Sequence, residues 1–474
     1  MKTPKAAIVL AAGKGTRMKS ARPKVLFPAL GKPLVVHSVE RAVELGCDPI
    51  VVVIGHRAQE VREALEARFP KAPLRFVEQK EQLGTAHAVE CARKALSGFG
   101  GRVLVLYGDV PLLTRDTLRK LARASASVPL GFLSMRLEDP TGYGRVVRDE
   151  DGVVVRIVEQ KDASAKERAI DECNGGIYDI DARFLFRALR AIGKDNAQGE
   201  YYLTDLIEAA HRAGTPAVAV EVPAEEVSGV NDRAELARAE AVLRERKNRA
   251  LMEAGVTLVD PGTAWIEEDV RIEADVVIEP NVRITGRSRI GAGSVIGFGS
   301  VIENSVIGRD VQVKPYCVVE ESRIEDRVAL GPFARLRPHS ELGEGVRIGN
   351  FVETKNARFE KGAKANHLSY VGDAHVGENT NIGAGTITCN YDGKNKNKTV
   401  LGRDVFIGSD TQLVAPVRVG DGAYVGAGTT VVRDVPPGAL ALSRPQQIVK
   451  EGWVAKRKAK LVAKPKVAAR RRSK

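Results

Sequence analysis

The feature that most constrains this chain is a period of six. Aliphatic anchors stand at Ile266, Ile272, Ile278, Ile284, Ile290, Ile296 and Ile302. After a one-residue slip they continue at Ile307, Val313 and Val319, and after another at Ile324, Leu330, Leu336, Leu342 and Ile348. They return at Val371, Val376 and Ile382, then at Leu401, Ile407, Leu413, Val419, Val425 and Val431. Glycine often follows the anchor, as in IGAGSV and VGAGTT, and a small or β-branched residue usually stands four positions after it. Neither the 3.6 period of a helix nor the 2.0 period of a strand generates this spacing. A flat six-residue face with an inward anchor does, three faces closing one turn of a parallel β-helix. At about 18 residues per turn, the stretch 266–436 holds about nine turns, each burying its core against its neighbours. The pattern lapses at 354–370 and at 388–400. Such lapses predict loops gathered on one face, often the binding face.

The residues before the repeats follow a different rule. Short apolar runs at Ala6–Ala12, Pro49–Ile54 and Arg102–Tyr107 have strand length, and helical patterns at Pro33–Leu45 and Ala58–Arg68 separate the first two and follow the second. Strands alternating with helices predict βαβ units on a mostly parallel sheet, an α/β Rossmann-like domain with its ligand crevice at the carboxyl ends of the strands. The run RAELARAEAVLRERKNRALME, Arg233–Glu253, is rich in strong helix formers and predicts a linker helix. The expected organisation is an α/β domain at 1–232, the helix at 233–254, a β-helix at 255–453, and a basic, disordered tail at 454–474.

Charge and cysteine usage narrow the setting. The net charge of +13 is concentrated in Lys456–Lys474, which carries ten basic residues and no acidic one. That tail reads as a solvated terminus rather than a nucleic-acid arm. Cys47, Cys91, Cys173, Cys317 and Cys389 are dispersed, with no CxxC pair, which argues against a disulfide framework or zinc site. No segment approaches the length of an apolar membrane span, and the first residues lack a signal-peptide pattern. The expectation is a reducing, cytoplasmic compartment.

Two clusters carry chemistry. LAAGKGTRM, Leu10–Met18, follows a strand, and Gly13 and Gly15 let backbone N–H groups approach a phosphate closely. Lys14, Arg17 and Lys24 add positive charge there. Asp109 ends a buried strand in YGDVPL, where a carboxylate can hold Mg²⁺ or cap the helical pattern that follows. Asn231 in GVNDR is either a second oxygen ligand or the N-cap of the linker helix. In the repeats, His367 in KANHLSYVGD has the pKa range of a general base near neutrality. Arg337, Lys355 and Lys396 could hold a phosphate.

These motifs together resemble a known family. LAAGKGTRMKS, Lys24, QKEQLGT at 79–85, Tyr107–Asp109, GYGR at 142–145, Glu159, Asn174 and Asn231 look like sugar-phosphate nucleotidyltransferases. GPFARLRP, NFVETKNA, NHLSYVGD, NIGAGTITCNYDGKNK, FIGSDTQLVAPV, VGAGTT and Ser443-Arg444-Pro445 narrow the match to the bifunctional bacterial N-acetylglucosamine-1-phosphate uridylyltransferase/glucosamine-1-phosphate N-acetyltransferases, over about residues 5–453. The resemblance implies a left-handed β-helix, a homotrimer formed through it, and a role in supplying cell-wall sugar precursors.

It also implies residue roles. UTP and UDP-N-acetylglucosamine would contact Leu10, Ala11, Ala12, Gly13, Lys24, Gln79, Gln82, Gly84, Thr85, Tyr107 and Gly108, with Gly144, Glu159 and Asn174 at the sugar. Asp109 and Asn231 would ligate Mg²⁺, while Arg17 and Lys24 stabilise phosphate charge. His367 would be the base of acetyl transfer. Arg337, Lys355, Tyr370, Asn381 and Lys396 would bind glucosamine-1-phosphate. Ala384, Asn390, Tyr391, Ser409, Ala427 and Arg444 would bind acetyl-CoA. Acetyl transfer would make N-acetylglucosamine-1-phosphate, which UTP then converts to UDP-N-acetylglucosamine.

Overall fold

The computed structural model describes residues 5–443 and 446–462. Contacts divide the chain into two compact units, Met1–Asn304 and Ser305–Lys474.

The first unit is built on a mixed sheet. In spatial order its main strands are Val218–Glu221, Leu130–Arg136, Glu172–Asp181, Arg102–Tyr107, Lys5–Ala11, Ile50–Ile54 and Leu74–Glu78. Lys5–Ala11 runs parallel to both of its neighbours, Ile50–Ile54 and Arg102–Tyr107. Glu172–Asp181 enters antiparallel between Arg102–Tyr107 and Leu130–Arg136. Side chains alternate strictly along each central strand. Ala6, Ile8, Val51, Val53, Val103 and Val105 bury into one core. Ala7, Val9, Val52, Ile54, Leu104 and Leu106 bury into the opposite one. That is why these strands read as unbroken apolar runs: both faces are covered. From Lys5–Ala11 the chain first winds to one side, then returns to add Arg102–Tyr107 on the other. This reversal opens a crevice at the carboxyl ends of the two strands.

Arg233–Glu253 is a helix over the predicted span, N-capped by the Asp232 carboxylate, which accepts a hydrogen bond from Glu235 N at 2.9 Å. Ala239 and Leu243 pack with Met18, Phe27, Leu30 and Leu34. The first coils of the β-helix follow. Trp265–Ile266 pairs in parallel with Arg283–Ile284, and Thr257–Leu258 with Val277–Ile278. A polar cluster fixes the first coil to the α/β part. The Lys32 ammonium meets Glu40 at 2.9 Å, Glu268 at 3.2 Å and Asp269 at 3.4 Å, and Arg68 bridges Asp269 and Glu40.

In the second unit every anchor of the six-residue pattern is buried, from Ile307 to Val431. Parallel pairing joins residues 17 or 18 apart, as in Val306↔Arg323 and Arg323↔Glu341. The one-residue slips are therefore 17-residue coils. Small residues four after an anchor, such as Ser340, Thr386 and Thr411, are buried where the faces turn.

One expectation is corrected. The lapse at 354–370 is no interruption: Glu353–Phe359 pairs with Tyr370–Val376, and Lys364–His367 with Arg347–Asn350. The coil continues with Thr354, Phe359 and Ala365 buried as anchors. The pattern faded because these are not Ile, Leu or Val. The lapse at 388–400 is a true excursion, since Ala374 pairs with Thr399, 25 residues on. The tail expected to be disordered begins as a helix, Trp453–Val462, with no buried residue. Its Ala, Lys, Arg and Leu content favours helix even without packing. Residues 463–474 lie outside the described residues.

Candidate functional site

The phosphate loop begins where the strand Lys5–Ala11 ends. Gly15 adopts φ +62°, and a Cβ there would lie 2.4 Å from Lys24 Cβ, so only glycine lets the Lys24 stem pass beneath the loop. Among the described residues, nothing lies within 4 Å of where a Gly13 Cβ would point, leaving that backbone open. The Lys24 ammonium lies 2.5 Å from Asp109 Oδ2 and 3.2 Å from Asn231 Oδ1. Arg17 donates to the same Asn231 oxygen at 2.9 Å. Gly108 carries Asp109 against the neighbouring strand by donating its N–H to Leu10 O at 2.9 Å.

Both open questions about capping resolve here. Thr114, not Asp109, caps the helix Arg115–Ala124, and Asp232, not Asn231, caps the linker helix. Asp109 and Asn231 therefore aim their oxygens at one point, where a cation already sits. The donor set, a carboxylate and an amide carbonyl, suits a hard divalent cation, with Lys24 as its stand-in.

Beside this point lies a cavity of about 330 Å³. Leu10, Ala11, Ala12, Gly13, Lys24, Gln79, Gln82, Gly84, Thr85, Tyr107 and Asp109 line it, all from the predicted set. Gln82 Nε2 donates to Ala12 O at 2.7 Å and Gln79 Nε2 to Gly84 O at 3.1 Å, locking the far wall to the phosphate loop. Val25, Ala88 and Glu200 also line it. Glu200 comes from a loop without any pattern, and sequence reasoning had no signal for it. A larger hollow of about 930 Å³, lined in part by Lys5, Arg102 and Asp181, lies at the opposite ends of the strands. An α/β sheet does not gather its functional loops there.

The three predicted sugar contacts adjoin one another. Asn174 N donates to Gly144 O at 2.9 Å, and a Cβ on Gly144 would approach the Glu159 carboxylate to 3.3 Å. Burial pushes the Glu159 carboxyl up, although Thr204 Oγ1 donates to it at 3.1 Å. Burial likewise pushes up the Tyr107 hydroxyl, with the Glu159 and Asp109 charges adding to it.

The second group of residues lies wholly within the second unit. Asn350 and His367 are direct register partners on successive coils. Corner hydrogen bonds extend the column: Leu368 N donates to Asn350 O, Gly385 N to Leu368 O, Asp410 N to Ala384 O, and Gly428 N to Ser409 O, at 2.7–3.0 Å. His367, Ala384, Ser409 and Ala427 thus recur at one corner. Asn381 sits on the same face, paired with Lys364 and Phe406.

At the other end of the adjoining face, spanned by Glu353–Lys355 and Tyr370–Gly372, positive charge converges. The Lys396 ammonium, then Arg337, push the Lys355 amine below its ordinary value. Lys355 is partly exposed. Such crowding of like charge is relieved by an anion. Arg337 is held by Glu353 at 2.9 Å. Asn390, in the excursion, donates to the buried Asp373 carboxylate at 2.5 Å, and Asn356 donates to its other oxygen at 2.6 Å. Tyr391 stands exposed on the excursion. Arg444 lies outside the described residues.

Comparison with known proteins agrees with both halves. Residues 7–145 match the MobA-like NTP transferase domain, and residues 269–304 and 398–433 match the bacterial transferase hexapeptide model of six repeats. A protein named bifunctional protein GlmU from Anaeromyxobacter sp. (strain Fw109-5) is 57% identical over 96% of this chain and 94% of its own. One of the same name from Anaeromyxobacter dehalogenans (strain 2CP-C) is 55% identical over 97% of this chain and 94% of its own. One from Pelobacter propionicus is 50% identical over 94% of this chain and 97% of its own.

Proposed function

The chain belongs to the bifunctional GlmU family, and from that membership we propose how its two groups of residues divide the work. It is a bifunctional transferase of UDP-N-acetylglucosamine synthesis, with an acetyltransferase and a uridylyltransferase activity.

In uridylyl transfer, a phosphate oxygen of N-acetylglucosamine-1-phosphate attacks the α-phosphorus of UTP, and pyrophosphate leaves. The attacking oxygen is already ionised, so no protein base is required. The obstacle is repulsion between anions. Lys24 and Arg17 oppose that charge, and the Gly13 backbone sits where phosphates pass. Gly84, Gln79, Gln82 and Thr85 form the nucleotide wall, and Gly144, Glu159 and Asn174 the sugar wall. Mg²⁺, held by Asp109 and Asn231, would neutralise phosphate charge and align the attack. The observation that carries this reading is the convergence of Asp109, Asn231 and Arg17 around the Lys24 ammonium.

In acetyl transfer, the amine of glucosamine-1-phosphate attacks the thioester carbonyl of acetyl-CoA. His367 accepts the proton the nitrogen sheds, and the coenzyme thiolate leaves. Arg337, Lys355 and Lys396 hold the sugar phosphate, with Tyr370 and Asn381 placing the ring. Ala384, Ser409 and Ala427 line the corner beside His367 where the acyl carrier lies, with Asn390, Tyr391 and Arg444 completing its site. The crowded Lys355–Lys396 pair supports the phosphate assignment.

We place the reactions in the cytoplasm, where acetyl-CoA and UTP are available. No helix among the described residues is long and apolar enough to cross a membrane. The assembly is a homotrimer through the β-helix. Exposed, stacked rings support self-association: Tyr316 on Phe333 at 5.3 Å, Phe333 on Phe351 at 5.4 Å, and Phe406 on Tyr424 at 5.3 Å.

The deciding measurement is coenzyme A release from acetyl-CoA and glucosamine-1-phosphate without UTP. Steady release upholds two activities. Pyrophosphate release from UTP and N-acetylglucosamine-1-phosphate without any coenzyme A release would reduce the β-helix to a scaffold.

A further inference from the structure

We propose that Asn350 is a positioning residue for acetyl transfer: its side-chain carbonyl holds the Nδ1–H tautomer of His367, so that Nε2 faces the amine as proton acceptor. This inference rests on the reading of His367 as the base. It starts from the coil register. Arg347–Asn350 and Lys364–His367 are consecutive parallel strands, and Asn350 stands directly opposite His367 at their ends. Asn350 Oδ1 lies 3.0 Å from His367 Nδ1. The same residue also fixes the backbone that follows the histidine, since its main-chain carbonyl accepts from Leu368 N at 3.0 Å. Leu368 turns the corner at φ +39°. Ser369 Oγ donates to His367 O at 2.8 Å, so both polar groups of the peptide that follows the histidine are held.

Chemistry explains the residue type. A neutral imidazole has one N–H and one lone pair, and the partner of one nitrogen decides which is which. The exposed ring of His367 has little packing to hold it, so the Asn350 oxygen is what sets its orientation. An amide carbonyl accepts the Nδ1 proton without being able to take it, which leaves Nε2 as the sole basic site.

The test compares Asn350→Leu, Asn350→Asp and Asn350→Ala, with each rate taken at the top of its pH profile. Leucine keeps the shape and removes the acceptor; aspartate keeps only an acceptor. For Asn350→Leu and Asn350→Ala we expect acetyl-transfer kcat to fall roughly 10–100-fold. The KM for glucosamine-1-phosphate should stay within about threefold of wild type, since the residue does not bind it. Asn350→Asp should recover most of the rate. Uridylyl transfer should be unchanged throughout, and the retained KM for glucosamine-1-phosphate reports that the β-helix of each variant is folded. Placed on His367→Ala, the Asn350→Ala change should cost nothing more, because it acts through the ring. Full activity in Asn350→Leu, no recovery in Asn350→Asp, or further loss on the His367→Ala background would overturn the proposal. A failure of the base reading looks different: His367→Ala itself would then retain acetyl transfer.

Discussion

The two groups of proposed functional residues are built on opposite plans. In the α/β part, loops from many elements converge: the first strand gives Gly13, a short helical turn gives Lys24, the fourth central strand gives Asp109, and the segment before the linker helix gives Asn231. Gly13, Lys24 and Asp109 line a cavity, and Lys24 pairs with Asp109 and Asn231 beside it. In the β-helix, residues on successive coils stack in register, as Asn350 does on His367, and the histidine stays at the surface. His367, Lys355 and Tyr391 each face outward. A convergent site is complete within its own fold, whereas a stacked one offers a row of groups along a flat wall. The proposed trimer would supply the missing opposite wall. The comparison teaches that enclosure comes from topology in one half and, on the trimer proposal, from assembly in the other.

The sharpest way to break the comparison is to disable each plan separately. His367→Ala should lower acetyl transfer roughly 10²–10⁴-fold and leave uridylyl transfer intact. Asp109→Ala should lower uridylyl transfer roughly 10²–10³-fold and leave acetyl transfer intact. Paired rate measurements on both variants check this. Crossed effects would show that the two groups do not work independently.

A subtler break is Gly15→Ala. The added methyl meets Lys24 Cβ, which is the rigid root of that side chain. The left-handed backbone costs about 1–2 kcal/mol more. Uridylyl kcat/KM should fall roughly tenfold or more as Lys24 is pushed aside. Acetyl transfer should not respond. A wild-type uridylyl rate would mean that the loop tolerates Lys24 elsewhere.

How far the residues disclosed this arrangement follows from the two plans. Six-residue periodicity is a local property, so the coils and their inward anchors were legible, down to the slips that mark 17-residue coils. It failed where Thr354, Phe359 and Ala365 stand in for aliphatic anchors, because the packing there accepts volumes that a pattern of Ile, Leu and Val excludes. The phosphate loop was legible from Gly13, Gly15 and the basic residues around them. The Lys24–Asp109–Asn231 convergence came only from the family resemblance and not from the residues themselves, because Asn231 lies 207 residues from Lys24 and could have capped a helix. Asn350 was passed over for the same reason: only coil register brings it to His367.

Stability against pH sharpens the comparison at a smaller scale. Burial alone would lower Lys32, but Glu268, Glu40 and Asp269 raise it above its ordinary 10.5. Burial alone would raise Glu268 and Asp269, but Lys32 depresses the first, and Arg68 with Lys32 the second, below their ordinary 4.5 and 3.8. The carboxylates therefore stabilise the fold fully above about pH 4.5 and lose that contribution as pH falls through their depressed values. The lysine contributes fully below about 10.5 and loses it as pH rises further. Lys32→Met should raise the acid unfolding midpoint of the first unit by roughly half a pH unit, read from Trp265 fluorescence in a variant lacking Trp453. An unmoved midpoint would mean that Arg68 alone holds the acidic pair.

The smallest expected effect concerns the tail. Lys456–Lys474 carries ten of the chain's excess positive charges, yet its described part, up to Val462, buries no residue. None of the residues proposed for either activity comes after Arg444. Removal of Lys456–Lys474 should therefore leave both kcat values within about twofold of wild type at fixed ionic strength. Affinity for the anionic substrates should weaken slightly at low salt and be indistinguishable at high salt, because the tail adds only a screened, long-range field. Steady-state kinetics of the truncated chain at two salt concentrations check this. A large, salt-independent loss of acetyl transfer alone would mean that the tail is part of the missing wall of the β-helix site, and that this wall is not supplied by the coils of a neighbouring subunit alone.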